Sequence, residues 1–260
     1  MKRYVIRRLL MAIPLLLAIS FVCFVFINII PSNPAEVVLR VQQMPVITEE
    51  AIAEMEEMLG LNKPFLARYF DWVLGCLQGD FGISYVNPAR TVAGELARCL
   101  PATLQLAAAS FVIVLVLSVP IGFLCAVYKD RWFDRLMRGL VFVTTAMPAY
   151  WVGLLLMWLI SVKLGLLPTN GSGTLRHLIL PAFTVALSYI STYIRLIRNN
   201  MLENMKQDYV LYANVRGLPQ RSIWVKHVLK NSMHTCIVAM GMSIPQMIAR
   251  RRHCCPPQTG

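Results

Sequence analysis

The stretch ATLQLAAASFVIVLVLSVPIGFLCAVY, residues 102–128, contains no charged side chain. A helix needs about 20 predominantly apolar residues to cross the hydrocarbon core of a bilayer. Lipid offers no hydrogen-bond partners, so a crossing segment of this kind satisfies its backbone groups by forming a helix. The stretch therefore predicts a membrane-spanning helix and, with it, an α-helical integral membrane protein.

Four further blocks of the chain also lack charged residues: 9–30, 139–162, 178–194 and 231–249. The first two meet the length of a span comfortably, and the last two lie near the lower end of the range of about 17–25 residues. The hydrophobic fraction of the chain is 57%, which exceeds the roughly 45–50% typical of soluble domains. We therefore predict an all-α, polytopic protein with about five transmembrane helices.

The N-terminus combines a basic start with an apolar run, as a secretory signal peptide does. The run at 9–30 is, however, longer than the roughly 7–15 residues of a signal-peptide core. We therefore interpret it as a retained first span, with residues 1–8 in the cytoplasm.

The net charge of +12 is explained by membrane topology. Lys and Arg cluster beside the apolar blocks, whereas a nucleic-acid surface would interleave basic residues with stacking aromatic rings, so we expect no nucleic-acid partner. The basic loops 129–138 and 195–230 fit the cytoplasmic side by the positive-inside rule. Residues 31–101 then form a long external segment, and the N-terminus is cytoplasmic.

Catalytic and metal-binding patterns are missing from the sequence, which has no P-loop and no HExxH, CxxC or GxSxG motif. We therefore expect a chain that is not an enzyme and holds no catalytic residue, cofactor or metal. Asp and Glu are absent from the five blocks, which argues against a proton-driven transporter because such proteins usually keep an ionisable group at membrane depth. Cys76 and Cys99 share the external segment and are candidates for a disulfide.

The segment DYVLYANVRGL, residues 208–218, lies between two predicted spans on the basic side, and a second helical stretch, 221–231, follows it. Gly217 can adopt the positive φ that a sharp reversal needs. The small side chain of Ala213 would let another protein's groove approach the helix backbone. Such a basic hairpin suits the docking of a soluble partner, and the alternative is an ordinary interfacial helix that ends at a glycine C-cap.

The same segment resembles the EAA loop of ABC importer permeases, in the variant of the dipeptide, oligopeptide and nickel branch. Ala213 falls at the small residue of that loop, Gly217 falls at its turn glycine, and HVLKN, residues 227–231, resembles the stretch that follows. The resemblance implies that the loop couples the permease to an ATPase. The residues it assigns to this coupling loop are Tyr209, Ala213, Gly217, Leu218, His227, Leu229 and Asn231.

Further stretches resemble motifs of that branch and follow one another in the same order as there. They are LGLNKP (59–64), GDFG (79–82), LPATLQL (100–106), VKLGLLP (162–168) and LILP (178–181). The resemblance extends from residue 1 to about residue 246, and it assigns 9–246 to a permease transmembrane domain with 195–230 as its cytoplasmic coupling segment.

The resemblance implies the permease subunit of an ATP-driven importer in the bacterial inner membrane. ATP hydrolysis would occur on separate cytoplasmic ABC ATPase subunits. A second permease subunit would complete the pathway, and a periplasmic solute-binding protein would deliver the solute. Members of the branch import dipeptides, oligopeptides, glutathione or nickel, and spans three to five lean toward the members for nickel or metal complexes.

The last residues, 247–260, depart from that family, whose full-length members continue with a further loop and a sixth span. RRRHCCPPQTG is neither apolar nor amphipathic, so we interpret this aberrant tail as a truncation or a shifted reading frame. One alternative function is therefore a non-functional or regulatory membrane fragment of such a permease. Another is a secondary transporter or channel, which would predict an intramembrane charge or an internal repeat.

Overall fold

A computed structural model of the chain describes residues 2–29, 33–42, 44, 47–85, 90–169, 171 and 173–249. This part of the chain consists of α-helices and two π-helical segments, with one isolated antiparallel bridge between Ile83 and Thr91. The predicted all-α class is confirmed. Most of the tail predicted to be aberrant, from residue 250 onward, lies outside the described residues. The chain divides into two compact units, Met1–Cys99 and Leu100–Gly260.

The first unit contains four helices before the start of α5: α1 (Lys2–Ile29), α2 (Pro34–Val41), α3 (Glu49–Met58) and α4 (Phe65–Leu77). Tyr69 is buried and joins α4 to α1. Its hydroxyl donates to the carbonyl of Leu17 at 3.0 Å, and the rings of Phe21 and Phe24 pack against it with centroids 5.0 Å and 5.5 Å away. These contacts hold α4 against the C-terminal half of α1.

The second unit is built around one long helix, against which two others pack. Its helices are α5 (Val92–Val127), whose first residues belong to the first unit, α6 (Trp132–Ala146), α7 (Ala149–Leu156), α8 (Leu175–Asn204), α9 (Asp208–Val215), α10 (Gln220–Ser222) and α11 (Lys230–Ala249), with π-helical segments at Met157–Lys163 and Ile223–Leu229. Gly122 of α5 lies against the fully buried Ile197 of α8, so closely that a Cβ on Gly122 would lie 2.9 Å from the Ile197 Cβ. Tyr193 of α8 donates from its hydroxyl to the carbonyl of Ala239 in α11 at 3.1 Å. The middle of α8 is therefore the centre of this unit.

Three described helices are long and apolar enough to cross a membrane: Arg3–Ile29, Val92–Val127 and Leu175–Asn204. They contain the first, second and fourth predicted spans almost completely. The third predicted span, 139–162, is divided between α6 and the helix formed by α7 and its π-helical continuation, which meet at 105°. If this bent pair of helices is counted as one span, it is the fourth candidate span of the described residues. The fifth predicted span, 231–249, is helical in α11, which is not among these candidates.

The bend and the span ends have different physical causes. Pro148 follows Met147 at the bend, and a proline disfavours helical geometry in the residue before it; Met147 has the extended backbone angles φ −87° and ψ 135°. The span ends differ for another reason: an uncharged block identifies only the stretch of a helix that suits the hydrocarbon, and the helix itself can continue beyond it. The helix of the fourth predicted span accordingly continues past residue 194, through Arg195 and Arg198, to Asn204.

Candidate functional site: the hairpin after α8

The segment predicted to couple the chain to an ATPase is a helical hairpin that packs against the end of α8. α8 ends at Asn204, and α9 begins at Asp208. The hydroxyl of Tyr209 donates to the Asn204 Oδ1 at 3.1 Å. Val210 and Ala213 are buried in the same apolar cluster as Met201 of α8. One arm of the hairpin is therefore fixed to the last turns of α8.

Gly217 forms the turn of this hairpin with a φ of +73°. Its amide donates to the carbonyl of Asn214 at 2.9 Å, and the amide of Leu218 donates to the carbonyl of Ala213 at 3.2 Å. This pair of bonds is the Schellman arrangement, which ends a helix at a residue in the left-handed region. The predicted positive φ of Gly217 is confirmed. The glycine directly follows the C-cap residue Arg216, so the turn also fits the alternative interpretation of a helix that ends at a glycine cap.

The second arm of the hairpin leads back into the core. Pro219 is the N-cap of α10, and the π-helical segment Ile223–Leu229 follows α10 directly. Ile223 and Val228 in that segment are fully buried. Gln220 Nε2 donates to Asn214 Oδ1 at 2.7 Å, which joins the two arms across the turn. The hairpin is thus a packed element.

The predicted coupling residues occupy different environments in the structure. Ala213, with 6% of its surface exposed, faces the chain's own core, so the prediction that its small side chain admits a partner's groove is wrong. Its size instead lets α9 approach the end of α8. Leu229 and Tyr209 are half-buried in the same region. The remaining predicted coupling residues are exposed: Gly217, Leu218, His227 and Asn231.

The outer face of α9 carries apolar side chains that the sequence analysis did not single out. Leu211, Tyr212 and Val215 are 64%, 70% and 78% exposed. We call these three residues the apolar ridge. Their helical spacing opposite the buried Val210 and Ala213 was readable in the sequence once one face of α9 was known to be buried. Exposed apolar patches rimmed by polar residues mark interaction surfaces.

A buried ion pair lies near the hairpin, at the start of α6. Arg198 Nε donates to Asp134 Oδ1 at 2.7 Å, and Arg198 Nη2 donates to Asp134 Oδ2 at 2.8 Å. Asp134 has no exposed surface, and its Oδ2 also accepts the amide of Asp130 at 3.0 Å. Because α8 carries both Arg198 and the contacts to α9, this pair connects α6 to the helix that supports the hairpin.

The cysteines and histidines form no metal site in the described part of the chain, where no three His, Cys, Asp or Glu side chains converge. Cys76 carries a free thiol, so the suggested Cys76–Cys99 disulfide is wrong. Burial, and then the negative charge of Asp80, raise the pKa of the Cys76 thiol. This thiol is therefore protonated, and weakly nucleophilic, at neutral pH.

Long apolar helices around a buried core, with a basic hairpin beyond the end of α8, define a polytopic α-helical membrane protein. The family described as "Binding-protein-dependent transport system inner membrane component" matches residues 118–250, and the family of the corresponding N-terminal region matches residues 1–107. The chain belongs to this family of inner-membrane permeases.

Several characterised permeases are similar over almost the whole chain. The metal-staphylopine import system permease protein of Staphylococcus aureus is 34% identical over 95% of this chain and 79% of its own length. The oligopeptide transport system permease protein of Bacillus subtilis is 34% identical over 95% of this chain and 80% of its own length. The glutathione transport system permease protein of Salmonella typhimurium is 34% identical over 93% of this chain and 78% of its own length.

These similarities assign the chain to the ABC importer permeases of the peptide and nickel branch. The protein is a transport subunit of the multi-pass inner-membrane type, and not an enzyme. Members of the family work with ABC ATPases and substrate-binding proteins. The predicted class of protein is therefore confirmed.

Proposed function

We propose that this chain is a permease subunit in which the hairpin 208–231 binds a cytoplasmic ABC ATPase and transmits its movement to the spans. The observation that carries the proposal is the apolar ridge on α9. Leu211, Tyr212 and Val215 are exposed to solvent although the opposite face of the same short helix is buried in the core. A ridge anchored in this way has the chemistry of a contact surface for a soluble protein.

The geometry supports a route for that movement. The hairpin is bonded to α8 through Tyr209 and Asn204, and α8 is bonded to α6 through Arg198 and Asp134. α6 in turn meets α7 at the bend beside Pro148. A displacement of the hairpin by the ATPase would thus move α8 and α6 together. The ATPase changes the balance between inward- and outward-facing states only if it binds the hairpin with different affinity in the two states.

The proposal also includes the membrane topology of the chain and its partner proteins. Residues 1–8, the loop 129–138 and the hairpin lie in the cytoplasm because their Lys and Arg residues outnumber their acidic residues. Residues 31–101 lie on the outer side, where a solute-binding protein docks. A second permease subunit pairs with this chain to enclose the pathway, as the family resemblance implies.

The solute that we propose is a small peptide-like molecule, taken up free or as its metal complex. The names of the relatives support this class, because they specify an oligopeptide, glutathione and metal-staphylopine. The lean of spans three to five toward nickel-type members favours the metal complex. Cells that produce the whole system are expected to accumulate radioactive nickel only when a peptide-like chelator is supplied, and accumulation without a chelator would contradict this choice.

The docking role is tested with Val215→Asp, which places a charge on the apolar ridge without touching the core. The matched control is Met58→Asp, because Met58 of α3 is 77% exposed and lies far from the hairpin in sequence. We expect Val215→Asp to lower ATPase co-purification and solute uptake about tenfold or more, as loss of an interface hot spot does. Both variants are expected to insert into the membrane at parental levels. Parental uptake and co-purification by Val215→Asp would contradict the docking role.

A further inference from the structure

A groove of about 530 Å³ runs between α6 and α8, with Cys125 of α5 at its base. Its walls are mainly apolar and include Met137, Val141, Phe142 and Ala146 of α6. Three arginines also line it: Arg138, Arg195 and Arg198. The volume lies within the range of about 300–1,000 Å³ that is typical of ligand sites.

The polar and apolar parts of this groove are separated along its length. Asp134 at the start of α6 binds Arg198 near the end of α8, and Thr144, three turns further along α6, lies 2.6 Å from the hydroxyl of Ser191. The two helices therefore run in opposite directions. The arginines share the end where α6 begins, and the apolar wall extends from there toward Ala146, which is about 12 Å further along the helix.

The acidic groups at the basic end balance the positive charge of its arginines only in part. Asp134 neutralises Arg198 through two short hydrogen bonds. Arg138 has only long contacts, at 3.5 Å to Asp130 and 3.6 Å to Asp134. Arg195 is exposed and forms no ion pair with the described residues. A net positive charge therefore remains at the mouth of an apolar groove.

We propose that this groove binds one anionic phospholipid, with its phosphate between Arg138 and Arg195 and an acyl chain along Val141, Phe142 and Ala146. A free anion would use the arginines but not the apolar wall. A polar solute would likewise leave that wall without a partner, whereas an acyl chain buries it. Basic pockets between transmembrane helices are known as binding sites for anionic lipid headgroups. The proposal needs only that the chain lies in a membrane, and it does not depend on the solute or on ATPase docking.

The test uses native mass spectrometry of the full chain, purified in a neutral detergent. It measures how much of each of two lipids is retained by the parent, a test variant and a control variant. Phosphatidylglycerol or phosphatidylcholine is added in equal amounts. The test variant is Arg138→Gln/Arg195→Gln, and the control is Arg176→Gln/Arg221→Gln, which removes the same charge from two exposed arginines outside the groove. We expect the parent and the control to retain phosphatidylglycerol in preference to phosphatidylcholine. In the test variant this affinity falls about fivefold for each arginine removed.

A second variant, Ala146→Trp, fills the exposed apolar end of the groove and keeps all its arginines. We expect it to lose phosphatidylglycerol as well, and we expect inorganic phosphate not to displace the lipid from the parent. Retention of phosphatidylglycerol by Ala146→Trp together with displacement by phosphate would instead identify a plain anion site and overturn the proposal. Equal retention of the two lipids, or unchanged retention after loss of both arginines, would also overturn it. So would efficient cross-linking of Phe142→Cys to another protein chain in native membranes, because the groove would then be a protein interface.

Discussion

Arg198 of α8 and Asp134 of α6 face each other through two nearly equal hydrogen bonds, of 2.7 Å and 2.8 Å, although 64 residues separate them in the chain. Two parallel bonds between a guanidinium and a carboxylate are stronger and more directional than a single charged contact. Asp134 has no exposed surface, and the side chain of Arg198 is only 13% exposed. The pair therefore fixes both the distance and the rotation of α6 relative to α8.

Replacing Arg198 with Leu leaves the Asp134 carboxylate buried without its partner. Loss of one member of a buried pair costs about 3–5 kcal/mol, and replacing both members with apolar residues costs much less. We therefore expect Arg198→Leu to lower the thermal unfolding temperature of the purified chain clearly, and the added change Asp134→Leu to recover most of the loss. Arg176→Leu, an exposed arginine near the start of the same helix, is the control. Additive losses in the double variant would contradict this interpretation.

Gly217 lies in the left-handed region, and a Cβ at this position would meet no atom within 4 Å. A substitution there is therefore strained by its backbone and not by crowding, with a cost of about 1–2 kcal/mol. We expect Gly217→Val to shift the hairpin turn and reduce ATP-driven uptake while membrane insertion is unchanged. Gly241→Val is the control, because Gly241 has the same open space but no positive φ. Equal uptake by the two variants would count against a role of the turn in coupling.

Close packing of α5 on α8 depends on the absence of a side chain at Gly122. A Cβ there would lie 2.9 Å from the Cβ of Ile197, which is buried and cannot move aside. Overpacking of this kind costs about 1–3 kcal/mol. We expect Gly122→Ala to lower the unfolding temperature, whereas Gly139→Ala, with open space around the added methyl group, leaves it unchanged or slightly raised. Unchanged stability of Gly122→Ala would show that α5 can shift away from α8.

Cysteine labelling tests the proposed orientation. In a parent chain without cysteines, Met58→Cys places a thiol on α3 and Lys206→Cys places one just before α9, and both positions are exposed. We expect a membrane-impermeant maleimide to label Met58→Cys in intact spheroplasts and to label Lys206→Cys only after the membrane is opened. Labelling of Lys206→Cys in intact spheroplasts would reverse the topology and remove the basis for ATPase docking at the hairpin.

The sequence predicted local features of the fold well, because they depend on neighbouring residues. Three of the uncharged runs, 9–30, 102–128 and 178–194, coincide with helices long and apolar enough to cross a membrane, and the residue type of Gly217 and its place after a short helix predict its positive φ. Helix ends were less accurate: α8 continues to Asn204 because a helix does not end at charged residues, and Arg195 is exposed there while Arg198 binds Asp134.

Features that depend on tertiary contacts were not predictable in the same way. Asp134 resembled a residue of an ordinary charged loop, since its partner becomes a neighbour only when α6 and α8 pack in opposite directions. The side of α9 that Ala213 faces could not be read from an eight-residue helix, because apolar residues occur on both faces. The apolar ridge became visible only after the buried face was known.

The break at Met147 and Pro148 has a consequence for the bilayer beside it. α6 has 15 residues and is therefore about 22 Å long, and α7 with its π-helical continuation has as many residues. Neither limb matches a hydrocarbon thickness of about 30 Å. Interrupted backbone within the hydrocarbon is tolerated only where water or protein covers its free carbonyl groups. If the bent pair crosses the bilayer as one span, the elbow must therefore border water or a protein surface, because lipid tails would leave its carbonyl groups without donors.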